Sequence, residues 1–271
     1  MWTDCPDASV VDITYSQSHI AGGTAMTSFP KTDAAIVDDH APRSSGLVPG
    51  ALVAAIGGPL ALAVTNALVG FGPIWGDIET TADLVDAVGR HQGFTEIEII
   101  TSLIATALIV PGIWAVAGIL RARTPRLAAL GGWLMATGYV FSLVLALETA
   151  VVLAVARAGG DPSVFVDAMD NHAPVSLMIV YGVFGLGALL GGLILGIAMV
   201  RQRGAVPAWA GWALIASEPV RAVGLLFGLA VGPPLASLLI LAAFAGTMLA
   251  DRSSAVTGLN KKHGPEQEAS A

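Results

Sequence analysis

The sequence predicts an all-α fold: a polytopic membrane bundle of six transmembrane helices, arranged as three tandem parallel hairpin repeats. Three observations carry that prediction. Of 271 residues, 55% are hydrophobic and only 12% charged, against about 25% charged in ordinary soluble domains; the mean hydropathy is +0.74. Six apolar stretches are each near the roughly 20 residues that a helix needs to cross hydrocarbon about 30 Å thick. Short segments also recur about 80 residues apart, in the same order along the chain.

Residues 1–45 are rich in Ser, Thr, Asp and Pro and hold no apolar run, so they read as a disordered tail without the h-region of a signal peptide. Cys5, the single cysteine, has no internal disulfide partner and no preceding apolar stretch that would suit lipid attachment. The membrane domain is expected over 46–250, with spans at about 47–70, 98–120, 127–156, 174–200, 207–230 and 233–250. These pair as hairpins 46–120, 121–200 and 201–250, and a second disordered tail follows at 251–271.

The first hairpin opens at Gly50 and carries Asn66 in "AVTNALV", sixteen residues further on. Its outer loop holds "TTADLVDAVGRH" (80–91), which predicts a short amphipathic helix with Thr81 as N-cap and Leu84, Val85 and Val88 on one side. The second hairpin begins with "RARTPRLAALGGW" (121–133) and carries Glu148, sixteen residues after Gly132. Its outer loop, "DPSVFVDAMDNH" (161–172), predicts another such helix, with Asp161 as cap, Pro162 at its first position, and Val164, Phe165 and Met169 on one side.

The two loops share Val-Asp-Ala, an apolar residue, two variable positions and His, 81 residues apart. The third hairpin starts with "RQRGAVPAWAGW" (201–212), which repeats the Arg-x-Arg and Gly-Trp pairs of the second. It has only "GPP" (232–234) where the others carry an outer-loop helix. With two spans per unit, all three units share one orientation about an axis along the membrane normal.

Arginine and lysine set the topology. With a cytoplasmic N-terminus, ten Lys and Arg fall on inner segments and only Arg90 and Arg157 on outer ones, so both termini are expected inside. The formal net charge of −7 does not point to nucleic acid, because the acids lie in the N-terminal tail and the outer loops. Ten Arg against three Lys in an alanine-rich chain suggest a GC-rich bacterial genome, hence a bacterial plasma membrane.

Ionisable groups inside a span cost about 2.5–3.5 kcal/mol on insertion scales and face the bundle interior or water. Glu148, Glu218, Arg221 and Asn66 are therefore the cavity or ligand candidates. Glu218 and Arg221, in "SEPVR" (217–221), are three residues apart and share a helix face. Pro219 between them removes one backbone donor. A kinked helix with a charge pair at mid-depth suits a binding site, and it equally suits a tightly paired bundle interior. Arg221 is expected to reach outward towards Glu148 in a three-charge cluster. In matched register, the other odd-numbered spans carry Gly57 and Tyr139 where the fifth carries Glu218.

His91 and His172 occupy matched loop positions, with Asp86 and Asp167 as the outer-face candidates beside them and Asp170, Glu96 and Glu98 nearby. Histidine with carboxylates can bind zinc or sense pH; a histidine at a helix C-terminus is also simply well placed there. Gly187, Gly191, Gly192 and Gly196, with Gly224, Gly228 and Gly232, read as small-residue packing faces.

No nucleotide, phosphate or metalloprotease motif occurs. No catalytic residue, cofactor or metal is therefore expected, and an enzyme is the less favoured class. The implied partners are the lipid bilayer and a small solute or ion. The alternatives are a non-transporting structural or accessory protein, and a membrane sensor or enzyme using the outer His/Asp face.

With "VPG" (110–112) in the second span and Gly-Trp after a basic inner turn, the membrane region resembles uncharacterised multi-span membrane proteins of GC-rich Gram-positive bacteria. That resemblance implies a membrane bundle and assigns no residue roles. Three hairpins with loop helices are also similar in layout to mitochondrial carriers, whose Pro-x-acid-x-x-base signature does not occur at the ends of the odd spans.

Overall fold

The computed structural model describes residues 49–74, 78–159, 161–202 and 204–263, without the side chains of 254–263. The expected N-terminal tail, with Cys5, and the last residues of the C-terminal tail lie outside the described residues. Among the described residues the chain is all helical, without strands. In order, the helices are α1 (Pro49–Phe71), α2 (Thr81–Arg90), α3 (Gln92–Leu120), α4 (Pro125–Phe141), α5 (Leu143–Ala158), α6 (Ser163–Asn171), α7 (Val175–Arg201), α8 (Ala208–Leu226) and α9 (Gly232–His263).

Among the described residues, five stretches are long and apolar enough to cross a membrane: α1, α3, α4 with α5, α7, and Gly232–Ser253 of α9. α8 has 19 residues, about 28 Å at 1.5 Å each, but Ser217, Glu218, Pro219 and Arg221 make it less apolar. Large apolar side chains stand out of the bundle on several helices, including Val53, Leu103, Trp133 and Leu186, as a lipid-facing surface requires.

Small residues let the helices pair closely and antiparallel. Gly58 of α1 lies on Ile109 of α3, and Gly112 of α3 on Ala54 and Ala55. Gly138 of α4 lies on Gly187 and Ala188 of α7, and Gly191 of α7 on Met135. Gly224 of α8 meets Gly232 of α9 across a tight turn in which Gly228 has φ +63. Gly228 thus belongs to the turn and not to a helix face.

These pairs join in a closed ring. Gly132 of α4 lies on Ala117 of α3, Gly211 of α8 lies on Val200 of α7, and Gly70 of α1 lies on Ala230 just before α9.

The main core fills one half of the ring, with Ile113 of α3, Met135 and Tyr139 of α4, Leu195 and Met199 of α7, Leu214 of α8, and Phe244 of α9. The arginine-bearing turns close that end. Buried Gln202 donates to the Leu120 carbonyl at 2.5 Å and to Thr124 Oγ1 at 3.2 Å, tying one such turn to the other. At the opposite end a second apolar cluster joins Val85, Ala87 and Val88 of α2 to Val152 and Leu153 of α5.

Several boundaries differ from the sequence reading. α3 begins at Gln92, so the segment before 98 is helix and not loop. The third span is two helices with Ser142 between them: Ser142 Oγ donates to the Tyr139 carbonyl at 2.6 Å, inserting a side chain into the helical ladder. α9 continues past 250 to His263, since charge marks the edge of an apolar stretch and does not end a helix.

The cap of α2 is Thr80, not Thr81. Its hydroxyl accepts from the Asp83 amide at 3.2 Å, and Asp83 accepts from the Thr80 amide at 3.0 Å, a capping box. α6 starts at Ser163, with Pro162 just before it and Asp161 accepting from the Ser163 amide at 2.9 Å. Val164 is exposed, while Phe165 and Met169 are half-buried.

Candidate functional site

The site is built where α4 turns into α5. Ser142 lies within 3.2 Å of Thr106 Oγ1 on α3, and one helical turn earlier stands Tyr139, fully buried. The Tyr139 hydroxyl accepts from Arg221 Nη2 at 2.9 Å, and the guanidinium lies 5.7 Å from the centre of its ring. Arg221 thus takes Tyr139 as its partner. The expected link to Glu148 is not formed: Arg221 bonds to Tyr139 of α4, and Glu148 to Tyr181 of α7.

Glu218 lies beside this pair, its Oε2 3.6 Å from Arg221 Nε. Glu218 is 3% exposed, and among the described residues neither its Oε1 nor Arg221 Nε has a hydrogen-bond partner. Gly192 of α7 makes room for the carboxylate: a Cβ there would come 3.1 Å from Glu218 Cγ. The Gly192 position therefore seats a charged group in addition to packing helices.

Glu148 of α5 accepts a hydrogen bond from the Tyr181 hydroxyl of α7. Asn66 of α1 donates to Ser237 Oγ of α9 at 2.8 Å and to the Pro233 carbonyl at 3.4 Å. Asn66, Glu148, Arg221, Tyr139 and Tyr181 all line one cavity of about 460 Å³, which also takes in Glu98 of α3. Glu98 is 5% exposed. It is therefore a cavity residue and not an outer-loop neighbour of His91, because α3 starts two turns before it. The cavity lies between the two apolar clusters: Tyr139 belongs to one, and Val88 and Val152 to the other. Leu84 and Val88 bring α2 over it as a cover.

Of the sequence candidates, Asn66, Glu148 and Arg221 come together around this space, with Glu218 behind Arg221. Tyr139, Tyr181, Ser142, Thr106 and Glu98 join them. Glu98 carried a signal, a carboxylate at the margin of an apolar run, and Tyr139 stood out only as the register partner of Glu218; the other hydroxyl residues carried none, since they are common in helical spans.

The outer-face candidates remain apart from the cavity lining. Asp86 pairs with Arg90 at 3.0 Å, and Asp167 accepts from Asn171 at 2.8 Å and lies 3.8 Å from His172. His91 and His172 each follow their loop helix as C-cap, and each donates its amide to the alanine of Val-Asp-Ala, at 3.1 Å to Ala87 and 3.2 Å to Ala168. Thr81 bonds to Asp170, linking α2 with α6.

Among the described residues no group of three or more His, Cys, Asp or Glu gathers as a metal site would require. Bonds from the hydroxyl and then the amide of Thr80 hold the Asp83 carboxyl below its ordinary value, and bonds from Ser163 do the same for Asp161. Comparison of the chain with family models, with curated proteins and with solved structures finds no match.

Proposed function

We propose that this chain is a multi-pass bacterial plasma-membrane protein, of the kind it resembles in GC-rich Gram-positive bacteria, that handles a small solute or ion in its polar cavity. One observation carries the reading. The cavity draws Asn66 from α1, Glu148 from α5 and Arg221 from α8 to a single space, one polar residue from each proposed hairpin. Polar side chains placed at such a cost in hydrocarbon are expected to converge on water or a ligand.

In this reading α8 is the fifth of six spans. It packs antiparallel between α7 and α9, with Gly192 and Gly196 meeting Glu218 and Ile215 on one side and Gly224 meeting Gly232 on the other. The three-hairpin repeat draws support from equivalent contacts. Gly112 meets Ala54 and Ala55, Gly191 meets Met135, and these partners stand within two residues of the same distance from Gly50 and Gly132. The matched amide bonds of His91 and His172 add to it. Ten Lys and Arg against two favour cytoplasmic termini, with α2 and α6 outside.

A second reading, a non-transporting accessory protein, is favoured by the Tyr139–Arg221 bond and the neighbouring Glu218, which together resemble packing glue. The two differ in whether the cavity is wet. In a Cys5→Ser background, Ser102→Cys places a thiol in the cavity lining. A small neutral methanethiosulfonate is expected to modify it in native membranes on the same timescale as a control thiol at exposed Ser163. A thiol that resists while the control reacts would favour the accessory reading.

A further inference from the structure

The charges and surfaces around the cavity limit what it can hold. This step rests on reading the cavity as a binding site, and it concerns the class of ligand. Arg221 brings a positive charge to the wall, but Glu218 Oε2 lies 3.6 Å from its Nε, so the two largely cancel when seen from the cavity. Glu148 is not cancelled in this way. Its Oε2 accepts from Tyr181, while among the described residues no cation pairs with it and its Oε1 has no protein partner. Glu98 also lines the cavity but has an interaction of its own. The charge that the cavity presents to its occupant is therefore that of Glu148.

A hard inorganic cation is poorly served here. Calcium takes about six to eight oxygen ligands, carboxylates prominent among them, whereas among the described residues no group of three or more His, Cys, Asp or Glu gathers. Most of the remaining wall is apolar, including Leu62, Val69, Leu145, Val152, Phe184 and Leu225. Tyr181 and Phe184 also line the space, and an aromatic face attracts a weakly hydrated cation; the Tyr139 ring already has the Arg221 guanidinium 5.7 Å from its centre.

A second hollow of about 300 Å³ lies along α7 and α8 and shares Tyr181, Phe184, Arg221 and Leu225 with the cavity as a common wall. Its flank is open where Gly182 and Gly185 present no side chain, and a Cβ at either would meet nothing within 4 Å. Apolar space of this kind beside a carboxylate fits a molecule with a bulky apolar body and a single positive charge.

We propose that the cavity binds an amphipathic organic cation, its charge seated on the free oxygen of Glu148 and its body against the α5–α7 wall and the aromatic rings.

The test uses the full-length chain in neutral detergent, with Cys5→Ser and Thr149→Cys; Thr149 lines the cavity next to Glu148. Modification rates are measured with trimethylammonioethyl, sulfonatoethyl and methyl methanethiosulfonates, each divided by its rate with a free thiol in solution. The normalised rate for the cationic reagent is expected to exceed that for the anionic one by at least about tenfold, since one charge about 10 Å away attracts the first and repels the second. Tetraphenylphosphonium is expected to slow the neutral reagent. Glu148→Gln should abolish both the preference and the protection. Should Glu148→Gln fail to fold, Glu148→Asp, which keeps the charge, must retain the preference while Tyr181→Phe leaves its sign unchanged.

Rapid modification without preference, or with preference for the anion, would overturn the cation assignment and leave an accessible cavity standing. Failure of all three reagents to react would overturn the cavity reading itself, and this proposal with it.

Discussion

Arg221 is held by a tyrosine more than by a carboxylate. Its Nη2 donates to Tyr139 at 2.9 Å, whereas Glu218 stands 3.6 Å from Nε without a hydrogen bond. Removing the phenolic oxygen leaves a buried donor without its acceptor, which costs about 1–3 kcal/mol in proteins generally. Tyr139→Phe is thus expected to lower the unfolding midpoint of the detergent-solubilised protein by several degrees, read by intrinsic fluorescence on heating. An unchanged midpoint would mean that the guanidinium is solvated from the cavity and does not depend on Tyr139.

At this scale the sequence revealed what is costly and hid what is cheap. Asn66, Glu148, Glu218 and Arg221 were visible because each interrupts an apolar run. Tyr139 was visible only as the register partner of Glu218, and its bond to Arg221 was not. Tyr181 passed unnoticed, since a tyrosine in an apolar run raises no alarm until its hydroxyl meets Glu148. Glu98 was seen and misplaced by one element.

Among the elements, α2 combines a polar start with an apolar underside. Thr80 and Asp83 close its first turn, and Val85 and Val88 bury its lower face over α5. The Asp83 carboxyl is held below its ordinary value of 3.8 by the Thr80 hydroxyl first and the Thr80 amide second. A carboxyl lowered by folding stabilises the folded form fully above its unfolded value and ceases to do so as pH falls through the folded value. The amides of Thr80 and Asp83, which the box bonds, should therefore keep their hydrogen-exchange protection, corrected for intrinsic rates, from neutral pH down to about 4 and lose it below that. Asp83→Asn should weaken protection at neutral pH and remove the acid step. A wild-type profile without an acid step would show that burial of Val85 and Val88 alone holds the turn.

The long helices were legible because a 20-residue apolar run admits few alternatives. The break at Ser142 was not, since "YVFSLVL" (139–145) is continuous in hydropathy and the hydroxyl bond from Ser142 back to the Tyr139 carbonyl leaves no mark in it. The Thr80–Asp83 box was readable as Thr-x-x-Asp; the choice of Thr81 overlooked the reciprocal bond that only Thr80 can make with Asp83.

For the whole molecule, ring closure depends on contacts that no local pattern reports. Asn66 meets Ser237 across 171 residues of chain, and Gly70 meets the Ala230 carbonyl, so the last hairpin returns to the first. The recurring loop segments suggested how the chain divides, while closure follows from how small residues on α1, α3, α7 and α8 let neighbours approach.

A six-span ring with cytoplasmic termini makes a sharp demand on labelling from the two sides of a membrane. In the Cys5→Ser background, single cysteines at Ser163, before α6, and at Gly204, between α7 and α8, lie at opposite ends of α7. Treated with a membrane-impermeant maleimide on intact cells, Ser163→Cys is expected to react and Gly204→Cys to react only after permeabilisation. Gly204 has φ +82, so its cysteine variant is strained; Arg123→Cys, in the equivalent turn before α4, provides an independent second position with the same expectation. The exposed residue Arg252 of α9 must side with Gly204 if α8 crosses the membrane, because α8 and α9 then form a complete hairpin. Labelling of Arg252→Cys from the outside, with Gly204→Cys still protected, would mean that α8 does not cross and that the charged pair Glu218–Arg221 has a different environment from the one proposed.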